Sequence, residues 1–361
     1  MSFGRLSRLA TTATIMATAT ALLFPGAAGA CTRVLWNDNS HAVLVSRSME
    51  WDTRSKEWGS ATSKPVLVAS PRGIARVGSK VGTATIPLVN AARWRAKYGS
   101  VAVTARDSGI ADGMNEKGLA AHALWLDATD YGPRDISKPA VQVGLWAQYM
   151  LDNAATVNQV VALAPGIQVS PIYLDDAVVP LSLAVEDPSG DSAILQYIDG
   201  QLTIHHGPQF RVLANDPAYD EALKLVNPDG YANLTRNDPL PGNTQSADRF
   251  VRANFYLDFL RRTEPTSLEA AKAGLMSVAR NVSVPIGAPM DKPGSMDETD
   301  YRTLSDLTNR TYTFEPSRRL ALLVTDLSKM DFRAGQPVRT LNPMNSRLNG
   351  DVTRRYLPAK N

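Results

Sequence analysis

Short segments in which apolar and polar residues alternate dominate the first part of the chain. Alternation over about four to eight residues predicts strands. Turn-forming sequences at 37–40, 187–190 and 199–200 indicate hairpins, and residues 112–115 are expected to form a turn into the apolar run 117–126. The predicted strands are 31–36, 41–46, 65–70, 100–105, 117–126, 181–186, 192–198, 201–205 and 209–214, with a late strand at 319–326.

Helical periodicity is concentrated in other stretches. Apolar residues recur at helical spacing along 141–163, which predicts one long helix that ends before Pro165. Further helices are predicted at 219–226, 246–262 and 267–280, before a Pro/Gly-rich loop at 285–295. Strands in blocks and helices in blocks indicate an α+β architecture with helices covering antiparallel sheets. No internal repeat or linker divides residues 31–361, which are expected to form a single domain.

The first thirty residues differ from the rest. Arg5 and Arg8 precede an apolar run, no acidic residue occurs, and Ala28 and Ala30 occupy the third and first positions before Cys31. This order predicts a cleavable secretion signal over residues 1–30. The apolar run is too short, and too rich in Ala and Thr, for a membrane-spanning helix. Cleavage would give the mature chain a terminal cysteine.

The charges of the chain nearly cancel. Lys and Arg number 38 and Asp and Glu 35, which gives a formal net charge of +3. Without runs of like charge, there is no electrostatic basis for binding nucleic acid. Hydrophobic residues make up 44% of the 361 residues, enough for a large core. Cys31 is the only cysteine, so no internal disulfide can form and the core must stabilise the fold.

Familiar catalytic and cofactor motifs are absent. The chain has no Gly-x-Ser-x-Gly elbow, no His-Glu-x-x-His, no P-loop and no Gly-rich dinucleotide motif. The adjacent residues His205 and His206 would face opposite sides of a strand, which is poor geometry for one metal. A histidine base beside Cys31, either His41 or His122, stays open. No metal and no cofactor is expected.

Two chemistries compete for Cys31, and they exclude each other. A bacterial lipoprotein would carry lipid on the thiol and an acylated amine, whereas an N-terminal nucleophile hydrolase needs both groups free. Ala28 stands where a lipoprotein signal normally has a branched aliphatic residue, and a predicted strand follows Cys31 instead of a polar tether. These departures favour the nucleophile, so no membrane anchor is expected. A non-catalytic envelope lipoprotein is the alternative.

A hydrolase without a histidine base needs another group that titrates near neutral pH. The α-amine of a terminal Cys31 qualifies, because unperturbed α-amines titrate at about 7.7 to 8.0. It would accept the thiol proton and later return a proton to the leaving amine. Exposure of the terminus would then be part of the mechanism.

Five segments, in order along the chain, resemble the choloylglycine hydrolase family, which holds penicillin V acylases and bile salt hydrolases. They are Cys-Thr-Arg-Val at 31–34, Arg-Ser-Met-Glu-Trp at 47–51, Ala-Asp-Gly-Met-Asn-Glu-Lys-Gly-Leu at 111–119, Val-Leu-Ala-Asn-Asp-Pro at 212–217 and Ser-Ala-Asp-Arg-Phe-Val-Arg at 246–252. The resemblance implies a four-layer αββα N-terminal nucleophile (Ntn) hydrolase fold with two stacked antiparallel sheets. It also implies cleavage of a linear, non-peptide amide without a cofactor, and a homotetramer.

The resemblance assigns site residues by position. Cys31 matches the nucleophile, and Arg47 matches an arginine near the thiol, where a fixed cation favours thiolate. Asn215 matches the asparagine that donates to the oxyanion, and Arg249 matches a second arginine that orients the site through charge-assisted hydrogen bonds. Glu50 stands where the family usually has Asp. Because Glu is one methylene longer, its contact with the α-amine is expected to be re-aimed.

Trp125 occupies the place where many members have an asparagine that completes the oxyanion hole. A tryptophan at this place resembles the Gram-negative branch of the family. Its only side-chain donor is the indole N–H, so either a backbone N–H replaces the missing donor or Trp125 binds substrate. Trp51 and Trp125 would form an apolar wall for an acyl group, unless both are core residues. The resemblance implies an amidase for a small-molecule amide, penicillin V or an N-acyl homoserine lactone, and the predicted signal segment indicates that it is periplasmic or secreted. Conjugated bile salts are the alternative substrate.

Overall fold

The computed structural model describes residues 31–50, 65–81, 84–105, 109–174, 177–226, 240–288 and 298–359. The predicted signal segment, residues 1–30, lies outside these ranges, as does the predicted substrate-binding residue Trp51. Most of the loop predicted at 285–295 lies outside them as well.

Strands make up most of the regular structure in the described residues. In chain order they are β1 (Cys31–Trp36), β2 (Leu44–Glu50), β3 (Leu67–Ser70), β4 (Ala75–Val77), β5 (Lys80–Val81), β6 (Ala84–Thr85), β7 (Arg93–Arg95), β8 (Ser100–Thr104), β9 (Ile110–Asn115), β10 (Ala120–Trp125), β11 (Ala140–Gln142), β12 (Gln168–Ser170), β13 (Tyr173–Leu174), β14 (Ala177–Val178), β15 (Leu181–Glu186), β16 (Ser192–Ile198), β17 (Gln201–His206), β18 (Val212–Ala214), β19 (Thr299–Asp306), β20 (Thr311–Pro316), β21 (Leu323–Asp326), β22 (Arg339–Leu341), β23 (Gly350–Asp351) and β24 (Leu357–Pro358).

The helices lie mainly in two groups. The α-helices are α1 (Trp146–Asn153), α2 (Val157–Leu163), α3 (Tyr219–Leu223), α4 (Ser246–Arg261) and α5 (Leu268–Asn281). Short 3-10 helices lie at Val143–Leu145, Ala164–Gly166, Leu327–Lys329 and Thr353–Arg355. None of the helices within the described ranges is long and apolar enough to cross a membrane.

Two large sheets form the centre of the molecule. The first has the strand order β18-β1-β2-β19-β20-β21-β23, and only its β21–β23 pair is parallel. The second has the order β17-β16-β15-β10-β9-β8-β3-β22-β24 and is antiparallel. In the second sheet, β16 and β17 are joined by Asp199 and Gly200, whose φ angles are 49° and 73°. Positive φ at both positions suits a two-residue hairpin turn.

Helices cover the outer face of each sheet. Helices α4 and α5 pack on β1, β2 and β18 of the first sheet, while α1 and α2 pack on β9, β10, β15 and β16 of the second. One buried apolar cluster joins the two sheets with α4 and α5, and another joins the second sheet with α1 and α2. The layers therefore run α, β, β, α, which confirms the architecture expected from the sequence.

The helix predicted over 141–163 is wrong in its extent. Its first residues belong to β11, and the remainder is split between α1 and α2. Thr156 separates the two helices and caps α2, because its side chain accepts a hydrogen bond from the backbone N–H of Gln159. Both helices bury one face on the second sheet, so the apolar spacing persists through the break.

Other predicted elements differ from the structure in their bounds, and some strands were not predicted. The turn predicted at 112–115 is wrong, since these residues lie in β9 and the turn follows at 116–118, where Gly118 has a φ of 88°. The predicted strand 41–46 lies at β2, a few residues further along. The sequence prediction lacks β19 and β20, which pair side by side next to β2. Strands predicted at 31–36, 181–186 and 192–198 are confirmed as β1, β15 and β16.

Candidate active site

The alternation of β1 and β2 decides which side chains surround Cys31. Successive strand residues point to opposite faces, and residues paired across antiparallel strands share a face. Cys31 pairs with Met49, and Arg33 pairs with Arg47. These four side chains therefore lie on one face of the first sheet, which we call the inner face because it packs on the second sheet. The residues between them point to the outer face, under α4 and α5.

The Cys31 thiol is enclosed by polar and polarizable atoms. The residue is only 3% exposed. Nη2 of Arg47 donates to Sγ across 3.3 Å, and the Met49 thioether sulfur lies 3.6 Å from Sγ. The carbonyl oxygen of Glu50 is 4.0 Å from Sγ. The thiol thus contacts both the guanidinium of Arg47 and the thioether sulfur of Met49, which is a weak hydrogen-bond acceptor.

Arg47 is held by both sheets. Its Nη2 contacts Met49 Sδ at 3.1 Å and donates to the carbonyl of Ala123 in β10 at 2.8 Å, while Nη1 donates to the hydroxyl of Tyr301 in β19 at 3.5 Å. Burial disfavours the guanidinium charge, but the charges of neighbouring groups, Cys31 first among them, raise the pKa of Arg47 above its usual range. Arg47 is therefore a permanent cation fixed beside the thiol.

Burial nevertheless has the largest effect on the pKa of the Cys31 thiol. It raises the pKa of the Cys31 thiol, and Arg47 exerts the largest opposing effect. Glu50 raises this pKa further, whereas Arg249 lowers it. Arg47 lowers the pKa of the thiol, which is the direction expected of a fixed cation that favours thiolate. The charge of Arg47 does not outweigh burial, so the pKa of the Cys31 thiol stays above its ordinary value.

Asn215 links the backbone of Cys31 to the second sheet. It follows β18, whose Ala214 pairs with Thr32. Its side-chain oxygen accepts a hydrogen bond from the backbone nitrogen of Cys31, and its Nδ2 donates to the carbonyl of Trp125 at 2.8 Å. An amide nitrogen carries two hydrogens, and among the described residues only the Trp125 carbonyl accepts from Nδ2. The side chain is 1% exposed.

Arg249 reaches the site from the outer face of the first sheet. It lies in the first part of α4, where Nε donates to the carbonyl of Thr244 at 2.9 Å. Nη1 donates to the hydroxyl of Thr32 and lies 3.8 Å from a carboxylate oxygen of Glu50. Nη2 donates to the side-chain oxygen of Asn215 at 3.4 Å. Arg249 thereby connects the strand of Cys31, the strand of Glu50 and the loop of Asn215.

The Glu50 carboxylate is turned toward hydroxyl groups. It accepts hydrogen bonds from Ser48 Oγ at 3.1 Å and from Thr299 Oγ1. Burial raises its pKa, and the charge of Arg249 opposes this effect most strongly. The longer side chain expected to be re-aimed is thus directed to Thr299 and Arg249, while its main-chain carbonyl is the part that faces the Cys31 thiol.

Trp125 contributes its backbone to the site. Its carbonyl accepts the hydrogen bond from Asn215, whereas its indole N–H donates to Asp127 at 2.6 Å. The ring is 5% exposed and belongs to the apolar cluster between the second sheet and α1. The role of Trp125 in binding substrate stays a prediction, as does that of Trp51.

The histidines are occupied elsewhere. Nε2 of His41 lies 2.8 Å from the carbonyl of Pro265, and both ring nitrogens of His122 face carboxylates. Neither imidazole is thus placed against Cys31, and a Cys-His pair does not form. Within the described ranges, no group of three or more His, Cys, Asp and Glu residues is arranged to hold a metal ion.

Two neighbours of the site escaped the sequence analysis. Met49 lies within a quoted segment, and strand alternation from Arg47 would have placed its side chain on the face of the thiol. Tyr301 carries no such signal, because its position depends on the pairing of β19 with β2 across a separation of about 250 residues.

Two stacked antiparallel sheets between helical layers, with Cys31 at the first position of a strand inside one sheet, define the class of Ntn hydrolases. The sequence model of the linear amide C–N hydrolases, choloylglycine hydrolase family, matches residues 31–339. The chain belongs to this family.

Individual relatives agree with this assignment. The chain is 34% identical to the penicillin V acylase of Pectobacterium atrosepticum, over 92% of this chain and 91% of that one. The structure of penicillin V acylase from Agrobacterium tumefaciens superimposes with a TM-score of 0.77 and 33% identity, covering 91% of this chain and 98% of the other. A mutant conjugated bile acid hydrolase from Clostridium perfringens shares the fold, with a TM-score of 0.70 and 20% identity over 86% of this chain and 96% of its own. The protein is therefore an amidohydrolase that resembles penicillin V acylases.

Proposed function

We propose that the protein is an exported amidase in which cleavage after residue 30 makes Cys31 an N-terminal nucleophile. The observation that carries the proposal is the pair of contacts at Cys31. The backbone nitrogen is held by Asn215, while the thiol is held by Arg47. Each group that the reaction needs in reactive form thus has its own polar partner.

In the proposed reaction, Sγ of Cys31 attacks the carbonyl carbon of a linear amide. The α-amine of the mature chain accepts the thiol proton and transfers a proton to the leaving nitrogen. The C–N bond breaks, the amine leaves, and the acyl group remains on sulfur as a thioester. A water molecule then gives a proton to the α-amine and attacks the thioester, which releases the acid and restores the thiol.

The developing oxyanion needs donors that are fixed in advance. The second N–H of Asn215 is the proposed side-chain donor, since the first is anchored on the Trp125 carbonyl. Arg249 fixes the orientation of Asn215 by donating a hydrogen bond to the side-chain oxygen of Asn215. Because the Trp125 indole N–H donates to Asp127, the second oxyanion donor is proposed to be a backbone N–H.

For the substrate, we propose an amide with an aromatic or aliphatic acyl group, either penicillin V or an N-acyl homoserine lactone. The relative from Pectobacterium and the structure from Agrobacterium are both penicillin V acylases, which supports penicillin V. The bile acid hydrolase is more distant in sequence at 20% identity. We therefore propose conjugated bile salts only as an alternative substrate to penicillin V and N-acyl homoserine lactones.

We also propose a periplasmic or secreted location and a homotetramer. The location rests on the order of basic, apolar and small residues in 1–30, and the tetramer rests on resemblance to the family. Fractionation of the producing cells tests the location, and light scattering of the purified protein tests the assembly.

The nucleophile is tested first at the terminus. Mass spectrometry of the mature protein is expected to find a free Cys31 as residue one, and a diacylglyceryl group there would support the lipoprotein instead. One extra residue kept before Cys31 is expected to abolish hydrolysis while leaving the thiol in place. Full activity of that extended chain would refute the α-amine as the base.

The substrate is tested by a hydrolysis panel. Penicillin V, acyl homoserine lactones of several chain lengths and glycine-conjugated bile salts are compared by kcat/KM, with Cys31→Ala, which removes the nucleophilic atom, as the inactive control. Faster cleavage of bile salts than of both other classes would overturn the substrate proposal. Activity that survives in Cys31→Ala would refute Cys31 as the nucleophile.

A further inference from the structure

Two buried arginines stand side by side on the inner face of the first sheet. Arg33 and Arg47 are directly opposed on β1 and β2, and they are 0% and 1% exposed. Directly opposed residues have Cβ atoms about 4.5 to 5.5 Å apart, and like charges there destabilise a sheet. The sequence pattern of β1 and β2 is therefore tenable only if the second sheet supplies negative charge.

The second sheet supplies one carboxylate to Arg33. Glu186 in β15 accepts from Nε of Arg33 at 3.0 Å and also from Nη2. The other donors of the guanidinium reach Ser192 Oγ at 2.7 Å and the carbonyl of Phe210 at 2.8 Å. Every nitrogen of Arg33 thus has a partner, and the Arg33–Glu186 pair is buried on both sides.

A second carboxylate faces Arg47. Asp112 in β9 accepts from the hydroxyls of Thr303 and Tyr312, each at 2.8 Å. Thr303 is paired with Arg47 across β19 and β2, so the two side chains lie next to each other on the inner face. The Asp112 carboxylate, which is bound to Thr303, therefore lies on the side of the first sheet that carries Arg47. The charge of Asp112 also favours the charged form of Arg47.

His122 lies between the two carboxylates. It pairs with Asp112 across β10 and β9, its Nδ1 is 2.9 Å from Asp112 Oδ2, and its Nε2 contacts Glu186 Oε1. An ionised carboxylate only accepts hydrogen bonds, so both ring nitrogens must donate, and a ring with two N–H groups is an imidazolium. Burial lowers the pKa of His122, but Glu186 and Asp112 outweigh it and raise the pKa to about 9.

Among the described residues, the charged side chains between the sheets leave one positive charge in excess. Arg33, Arg47 and His122 are cations, and Glu186 and Asp112 are the anions opposite them. Tyr301 and Tyr312 are neutral, because burial raises the pKa of both hydroxyls. On the outer face, Arg249 and Glu50 compensate each other. A thiolate on Cys31, 3.3 Å from Arg47, would bring the group between the sheets to neutrality.

We infer that His122 is a positioning residue for the nucleophile: its imidazolium neutralises one of the two buried carboxylates, so that the charge of Arg47 remains available to a Cys31 thiolate. This inference rests on the proposed function, in which Cys31 is the nucleophile. His122 does not touch the thiol, and it acts through Asp112 and Arg47. The amine of the mature terminus is held on the other side, by Asn215.

The test replaces His122 by glutamine and follows the thiol directly. His122→Gln removes the imidazolium and keeps one amide donor. Because Cys31 is the only cysteine, the rate of alkylation by iodoacetamide against pH reports its thiolate alone. We expect roughly tenfold slower alkylation at neutral pH, the change that a thiol pKa raised by about one unit produces. The acid limb of kcat/KM should move to higher pH by the same amount.

A double variant separates charge from structure. His122→Gln with Glu186→Gln removes one charge of each sign, so the excess positive charge returns. We expect alkylation within about threefold of the wild type, although the double variant has lost more hydrogen bonds. A purely structural role for His122 gives the opposite order, with the double variant slower than the single one.

Glu315→Gln is the matched control. Glu315 is a part-buried carboxylate in the first sheet that accepts from Arg280 and Arg302, and it belongs to the outer face. Its loss should leave the thiol titration unchanged. If His122→Gln fails to fold, Glu186→Gln alone keeps the inference testable, because removal of a negative charge should not slow alkylation.

Two results would overturn the inference: an unaltered alkylation profile in His122→Gln, or a double variant that is slower than the single one. A slower Glu186→Gln variant would also contradict it. Alkylation does not depend on amide hydrolysis, so failure of the proposed function is seen separately. Activity in Cys31→Ala would refute Cys31 as the nucleophile and leave the order of the alkylation rates unaffected.

Discussion

Replacing Arg47 by methionine tests the electrostatics of the site most directly. The guanidinium lies 3.3 Å from the Cys31 sulfur, and both groups are buried. At that distance and an effective dielectric constant of about 20, a thiolate and a guanidinium attract each other by about 5 kcal/mol. This corresponds to at most about three to four pKa units, and opposite charges at contact in proteins shift pKa values by about one to three.

We therefore expect the Cys31 thiol of Arg47→Met to titrate about one to three units higher than in the wild type. The acid limb of kcat/KM should shift by the same amount. Methionine has a similar length and no charge, so it fills much of the space next to Met49 and the Ala123 carbonyl. The assay is the thiolate ultraviolet absorbance as a function of pH, with circular dichroism to verify the fold.

Arg302→Met is the control for this experiment. Arg302 precedes Thr303 in β19, so its side chain points to the outer face, where it donates to Glu315 and to Ser283. Its removal should lower stability and leave the thiol titration where it was. An Arg47→Met protein that is folded and has an unchanged thiol titration would refute the electrostatic role assigned to Arg47.

Three further changes have defined outcomes. Arg249→Met should lower the free energy of unfolding by about 3 to 5 kcal/mol in urea titrations, because it leaves the buried Glu50 carboxylate without its cation; adding Glu50→Gln should recover part of this loss. Asp216→Asn should gain stability relative to the wild type as pH rises from 4 to 7 in the same titrations. Burial, with the Asp127 carboxylate, raises the pKa of Asp216 to about 7, so the folded wild type holds a proton that the unfolded chain loses near pH 4. Trp125→Phe removes the hydrogen bond to Asp127 and should cost about 1 kcal/mol in thermal unfolding, with the thiol titration unchanged.

The parts of the fold that the sequence predicts correctly are those specified locally. β1, β15 and β16 alternate clearly and are bounded by turn residues, so their limits follow from the chain itself. β19 and β20 are different, because they are rich in polar residues that become buried only when the strands pair next to β2. Thr303 is 1% exposed and Asp306 0%, yet nothing in their neighbouring sequence indicates burial.

The candidate site divides in the same way. Cys31, Arg47, Glu50, Asn215 and Arg249 stand in short segments that resemble a known family, and the structure brings all five together. The partners that come from distant strands were beyond local reasoning. Glu50 turns to Thr299, and Asp112 turns to Tyr312, across sequence separations that only the pairing of whole strands can close. From the sequence, His122 stayed open as a base beside Cys31, because its two carboxylate partners lie on the strands on either side of its own.

In the proposed reaction, the position of Cys31 at the start of β1 separates the thiol from the amine of the same residue. Its side chain points to the inner face, where the charge next to it is set by Arg47 and by the second sheet. Its backbone nitrogen lies at the strand end, where Asn215 and, behind it, Arg249 of α4 are the polar contacts. Because different layers of the fold support the two groups, the titration of the thiol and that of the amine should respond to different substitutions. A change at Arg249 should therefore move the amine limb of the pH profile more than the thiol limb, and a change at Arg47 should do the reverse.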